Sequence, residues 1–131
     1  MSLREMVDDQ IRIIESGSPL DAFRKYYDDQ VQMFNNAQPF ATNKRVAEEV
    51  QAHFLGGIED FKAIHQPPII NENIAILDAM FSFTMAGEAV SFRGVHEQHW
   101  QEDRVVLEHF YTGTVLEEKI AEGLLAEADE S

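Results

Sequence analysis

The chain has 131 residues, enough for one domain with one core and too few for two. Its 24 Asp and Glu against 10 Lys and Arg give a formal net charge of −14, a field that repels phosphate backbones and argues against nucleic acid and anionic membranes as partners. With no cysteine, thiol catalysis, disulfides and Cys-ligated zinc are excluded together.

No apolar run approaches the ~20 residues that a membrane span needs. The N-terminus lacks the basic-then-apolar layout of a signal peptide, so a cytoplasmic location is expected. Residues 3–16 set Leu3, Met6, Val7, Ile11, Ile13 and Ile14 among charged residues at helical spacing and predict an amphipathic helix stopped at Gly17. Ser18-Pro19 opens a second helix, because proline in the first turn forfeits only an N–H that would be unpaired anyway. Leu20, Phe23 and Tyr27 form its buried stripe, and Asp28-Asp29 is expected to end it.

Val31 to Phe34 reads as a short strand, followed by a polar loop over 35–39. A third helix is predicted over 43–55, with Val46, Val50 and Phe54 inward and Gly56-Gly57 as its stop. Beyond it the hydrophobic period changes from 3.6 to 2, predicting strands near 59–66, 74–85, 88–100 and 104–113. Turns are expected at 71–73, at Ala86-Gly87 and at 101–103. Helices followed by a meander of long strands is the α+β pattern, with three helices covering one face of a curved antiparallel sheet. The acidic segment 116–131 follows the domain proper (1–115) as a short helix with Leu116, Ile120 and Leu124 aligned, or as a frayed terminus.

A two-residue turn at Ala86-Gly87 sorts the sheet, because side chains alternate across a strand. It sets Phe81 opposite Phe92, Ala79 opposite Gly94 and Leu77 opposite His96, on a face that also carries Phe83, Val90, Gln98 and Trp100. The residues alone leave the next hairpin open. A three-residue loop over 101–103 brings His96 beside Glu108 and Gly94 beside Phe110. A two-residue loop instead turns Val105, Leu107, His109 and Tyr111 to that face.

Three passages resemble the SnoaL-like branch of the nuclear transport factor 2-like superfamily, over about Met6 to Gly113. They are the helix Leu20 to Asp29 ending in aromatics and Asp-Asp, the polar loop Asn35-Asn36 running into Asn43-Lys44-Arg45, and the closing hairpin Trp100 to Tyr111. The resemblance implies a cone-shaped half-barrel that binds small apolar molecules, and a homodimer through the outer sheet face. It also implies the three-residue loop, and with it a His96–Glu108 pair. No metal site is expected, because in the register that the resemblance implies His99 and His109 face away from His96 and no ligand-spaced motif accompanies them. The superfamily's steroid isomerases place a Tyr and two Asp where this chain has Gln10, Phe34 and His96, and its cyclases an acidic residue where this chain has Phe110. None is kept in kind.

The candidate site follows. His96 and Glu108 form an expected acid/base pair, since a carboxylate fixes an imidazole tautomer and raises its pKa while burial lowers it. Phe81, Phe83, Phe92, Trp100 and Phe110 make an apolar wall, Gln98 is its polar member, and Phe34 and His65 are expected to face the pocket. One of Tyr26 and Tyr27 packs in the core and the other offers its hydroxyl to the ligand. The expected function is small-molecule binding, with cofactor-free isomerase, cyclase, dehydratase or hydrolase chemistry on an apolar carbonyl-like ligand. A non-catalytic binding or interaction module is the alternative. The outer face mixes charge with Val95, Leu107 and Tyr111, which a homodimer surface would explain.

Overall fold

The computed structural model describes residues 1–126 and contains four helices and seven strands in the order α1 (Leu3–Glu15), α2 (Pro19–Tyr26), β1 (Tyr27–Asn35), β2 (Gln38–Ala41), α3 (Lys44–Gly56), β3 (Ile58–His65), β4 (Ile69–Asn71), β5 (Ile74–Met85), β6 (Glu88–Gln101), β7 (Arg104–Thr112) and α4 (Gly113–Ala121). The strands form one sheet in the order β2-β1-β7-β6-β5-β3, with β4 pairing beside β5. Every pairing is antiparallel except that of β1 with β7. The class is the expected α+β cone, but with four helices rather than three.

Local chemistry explains the ends of the elements. Ser2 caps α1 in a reciprocal box: its hydroxyl accepts from the Glu5 N–H, and the Glu5 carboxylate accepts from the Ser2 N–H. Asn43 caps α3 by accepting from the Val46 N–H at 2.9 Å. Helix α2 stops at Tyr26, so Asp28-Asp29 belongs to β1 rather than to the helix end. The loop expected over 35–39 is a tight turn at Asn36-Ala37 leading into β2, an edge strand that tolerates Pro39 because its unpaired side needs no N–H.

At the β5–β6 hairpin both turn residues take positive φ, 52° at Ala86 and 80° at Gly87, the mirror-image turn whose twist suits paired strands. It fixes the expected register over twelve residue pairs, including Phe81 with Phe92 and Leu77 with His96. The β6–β7 hairpin differs from expectation. Its loop is the two-residue Glu102-Asp103, with Gln101 opposite Arg104, and a bulge then shifts the register between His99 and Trp100. The extra residue of the bulge restores the side-chain direction that a three-residue loop would have given, so Glu108 and Phe110 still face inward. Their partners change: Glu108 stands opposite Gln98, and Phe110 opposite His96.

The main core lies between α1, α2 and the concave face of the sheet, around Val7, Phe23, Val31, Leu77, Trp100 and Val105. Burying an aliphatic side chain of this kind completely stabilises the fold by about 1.5–3 kcal/mol. Asp9 pins α1 to α2 by accepting from Lys25 Nζ at 2.6 Å and from the Tyr26 hydroxyl at 2.5 Å. A second core lies on the convex face, where Leu116 of α4 covers Ile76, Val95 and Tyr111. Val95 and Tyr111, two of the residues that pointed to a dimer surface, are thus buried within the chain itself. Leu124 packs on the same cluster, and the remainder of the acidic tail, 127–131, lies outside the described residues.

Candidate functional site: an aromatic cavity with a polar floor

The helices and the concave sheet face leave between them a cavity of about 410 Å3. That is within the range of small-ligand pockets. Eight of the nine phenylalanines line it: Phe23 from α2, Phe40 from β2, Phe54 from α3, Phe61 from β3, Phe81 and Phe83 from β5, Phe92 from β6 and Phe110 from β7. Strand alternation is the reason, since a strand that turns one phenylalanine inward turns its second neighbours inward as well. The ring of Phe81 sits 5.7 Å from Phe92 and 6.1 Å from Phe110, so the wall is continuous. Gly94 makes room for it: a Cβ there would come within 2.5 Å of the Phe110 ring and 3.1 Å of Phe81.

Polar groups converge at one end. Tyr27, at the start of β1, donates its hydroxyl hydrogen to Oε2 of Glu108. Nε2 of Gln98 lies 3.0 Å from the same oxygen, 2.9 Å from the Tyr27 hydroxyl and 2.7 Å from Oε1 of Gln10. Two hydrogens cannot serve three acceptors separately, so this amide shares them. Gln10 and Trp100 donate in turn to Oε1 of Gln98, at 3.1 and 3.2 Å. Gln10, Gln98 and Glu108 are each no more than 2% exposed, yet all three border the cavity. The buried polar atoms thereby satisfy one another, as a low-dielectric interior demands.

Three polar groups of buried or half-buried cavity-lining residues lack a protein partner among the described residues, and one of them is Nε2 of Gln51, a buried donor on α3. Oε1 of Glu108 takes no hydrogen bond among the described residues, although the carboxylate borders the space. His96 likewise lines it, and neither ring nitrogen is bonded to protein among the described residues. Its ring instead stacks on Phe110 at 4.3 Å and meets Phe81 edge-on at 6.0 Å. Burial lowers the His96 pKa below its ordinary value, with the charge of Glu108 opposing that in part, so the neutral imidazole is favoured at neutral pH. The Tyr27 pKa moves well up, chiefly through burial and then through the adjacent Glu108 charge and hydrogen bond, so its hydroxyl stays a donor.

The structure brings together His96, Glu108, Tyr27, Gln98, Phe81, Phe83, Phe92 and Phe110 at the cavity. Four expected residues lie elsewhere. Phe34 faces the convex side and stacks on His109 at 4.9 Å, because alternation along β1 turns Met33 and Asn35 inward instead. Tyr26 is bound to Asp9 and packs on Trp100. Trp100 stands behind the floor as a donor to Gln98. His65 shares the face of Phe61 and Ala63 and meets Phe81 edge-on at 6.4 Å, but it does not border the cavity. Glu15 of α1 accepts from its backbone N–H at 2.7 Å and meets its ring Nδ1 at 3.1 Å.

The His96–Glu108 pair is corrected too. The bulge sets them on non-opposed positions, and Gln98 and Tyr27 take the carboxylate. Gln10 was missed as a floor residue, although Met6, Gln10 and Ile14 recur at four-residue spacing on the buried side of α1. A further groove of about 470 Å3 lies between Asp29 and Lys44. Only polar residues line it.

The sequence matches no known family model and no curated protein. The fold has many solved counterparts. A protein from Mesorhizobium loti described as a SnoaL-like polyketide cyclase superposes with a TM-score of 0.72 at 18% identity, over 85% of this chain and 99% of its own. An NTF2-like protein of unknown function from Burkholderia pseudomallei gives 0.72 at 12% identity, over 91% and 97%. An LEH-like epoxide hydrolase from Mycobacterium tuberculosis gives 0.69 at 12% identity, over 93% and 91%.

Proposed function

We propose that this protein, whose fold is that of the SnoaL-like and NTF2-like proteins, binds a largely apolar small molecule with one polar end in the aromatic cavity and moves a proton on it without a cofactor. The observation that carries this reading is His96. A neutral imidazole with neither nitrogen engaged by protein, on the wall of an apolar cavity, is free to accept a proton from a ligand or to donate one to it. Phe81 and Phe110 hold the ring plane by contact alone. Glu108 is then the anchor for the polar end of the ligand rather than the residue that orients His96. Tyr27 and Gln98 hold its carboxylate in place, so binding requires little rearrangement. Isomerisation or dehydration beside a ligand carbonyl fits these groups, and the cyclase and hydrolase descriptions of the structural counterparts are compatible with it.

One observation favours a second reading, binding without turnover. No carboxylate or backbone carbonyl among the described residues bonds the ring of His96, whereas an acid/base histidine ordinarily has its tautomer fixed by such a partner.

The test is a thermal-shift screen with apolar ketones, aromatic polyketide-like compounds, steroids, epoxides and amines, on the wild type and on a folded His96→Ala variant. A ligand at a hundred times its dissociation constant adds about 2.7 kcal/mol of stability by mass action. Hits weakened in His96→Ala, followed by turnover of one of them, support the catalytic reading. Hits without turnover support the second. An absence of hits in every class overturns both.

A further inference from the structure

We infer that the ligand of this cavity is an organic cation, an aliphatic or aryl-alkyl amine in its protonated form, held by Glu108 and the phenylalanine wall. The inference rests on the cavity being a ligand site and concerns only the charge of what enters it.

Glu108 is the only acidic residue bordering the cavity among the described residues, and no Lys or Arg borders it. An anionic ligand would therefore meet a fixed negative charge in a low-dielectric space, with no cation to offset either its desolvation or that repulsion. His96 does not help an anion, because burial keeps its ring uncharged at neutral pH. The chain's net charge of −14 adds a long-range field of the same sign and draws cations in.

The carboxylate is also incompletely satisfied. Tyr27 and Gln98 both donate to Oε2, leaving Oε1 without a partner among the described residues although the group is 2% exposed. That oxygen is not itself fully buried but opens on the cavity, where a ligand's donor can reach it, and a charged N–H is the strongest that a small molecule can bring. The aromatic wall suits the same ligand. Ring faces carry negative potential, and a cation near several of them is attracted without any further hydrogen bond. The Phe81 ring lies 5.7 Å from Phe92 and 6.1 Å from Phe110, and all three border the cavity together with His96.

The experiment compares three ligands on one skeleton by titration calorimetry at about pH 7.5, where the amine is protonated. They are 4-phenylbutylamine, 4-phenylbutanol and 4-phenylbutyrate, each titrated into the wild-type protein and into Glu108→Gln, whose amide still accepts from Tyr27. The expected order in the wild type is amine about tenfold tighter than alcohol, with the acid weakest of all. In Glu108→Gln the amine loses that advantage while the alcohol is little changed. An acid that binds as well as the amine, or an amine preference that survives Glu108→Gln, overturns the inference and leaves the cavity reading standing. Binding of none of the three by folded wild type overturns both. The wild-type comparison is decisive even where the variant fails to fold.

Discussion

The hydroxyl of Tyr27 and the carboxylate of Glu108, 81 residues apart in sequence, meet in a buried hydrogen bond that joins the first strand to the last. The bond links the parallel pair β1 and β7 at the polar end of the cavity, and Gln98 braces it from β6. The floor is therefore a structural knot as well as a ligand surface.

Removing one hydroxyl from that knot should be costly. Tyr27→Phe leaves Oε2 of Glu108 with Gln98 alone and takes an acceptor from the Gln98 amide. A loss of about 1–3 kcal/mol is expected in urea unfolding, as for a buried polar group deprived of a partner. A loss below a few tenths would mean that the network does not close in solution.

Acid should weaken the fold from just below the ordinary histidine range. His96 and His65 both have lowered pKa values, each mainly through burial, with Glu108 and Glu15 opposing in part. Between the unfolded value of about 6.5 and the lower folded values, the unfolded chain binds protons that the native chain does not. Their contribution is whole above about pH 6.5 and declines as pH falls through that window. Urea midpoints measured from pH 7.5 down to pH 5 should fall for the wild type, and fall less steeply for a folded His96→Phe variant.

Alkali should do the same at the other end. All three tyrosines have raised pKa values, led in each case by burial, and that of Tyr111 is pushed up to about 12. The unfolded chain ionises near 10 while the native one does not, so stability is lost as pH rises past 10. Phenolate absorbance should show no step at pH 10 in the native protein and then rise together with the loss of far-ultraviolet ellipticity.

Gly94 tests whether the cavity must stay clear. Gly94→Ala puts a methyl group into the Phe110 ring, which borders the ligand space. Overpacking of this kind is expected to cost about 1–3 kcal/mol. Ligands found in the thermal-shift screen should lose affinity for this variant beyond what its lower stability explains. Unchanged affinity would place them outside the Phe110 wall.

The sequence carried the long-range plan of the sheet because it rests on periodicity and on one turn. Ala86-Gly87 sets a two-residue hairpin, and everything on β5 and β6 follows from it. The closing hairpin shows where that logic stops. A bulge adds one residue without disturbing the alternation beyond it, so the inward direction of Glu108 and Phe110 was legible while their partners were not. Phe34 failed for a related reason, since a short apolar strand does not say which of its neighbours faces in. The floor was harder still. Gln10 comes from a helix 88 residues before Gln98, and no local pattern reveals that two amides so far apart will pair. The covering of Ile76, Val95 and Tyr111 on the convex face was not legible either, because α4, which packs on them, reads from sequence as a helix or a frayed end alike.

The most direct test of the central claim, that a small molecule binds in this cavity against His96, is a long-range proton–nitrogen NMR spectrum of the five histidine rings. It would be recorded with and without a ligand selected by thermal shift. A ligand seated against His96 shifts its ring nitrogens on saturation while those of exposed His53 stay in place, and the His96 titration midpoint moves with them. Saturating ligand that leaves the His96 signals in place would contradict it.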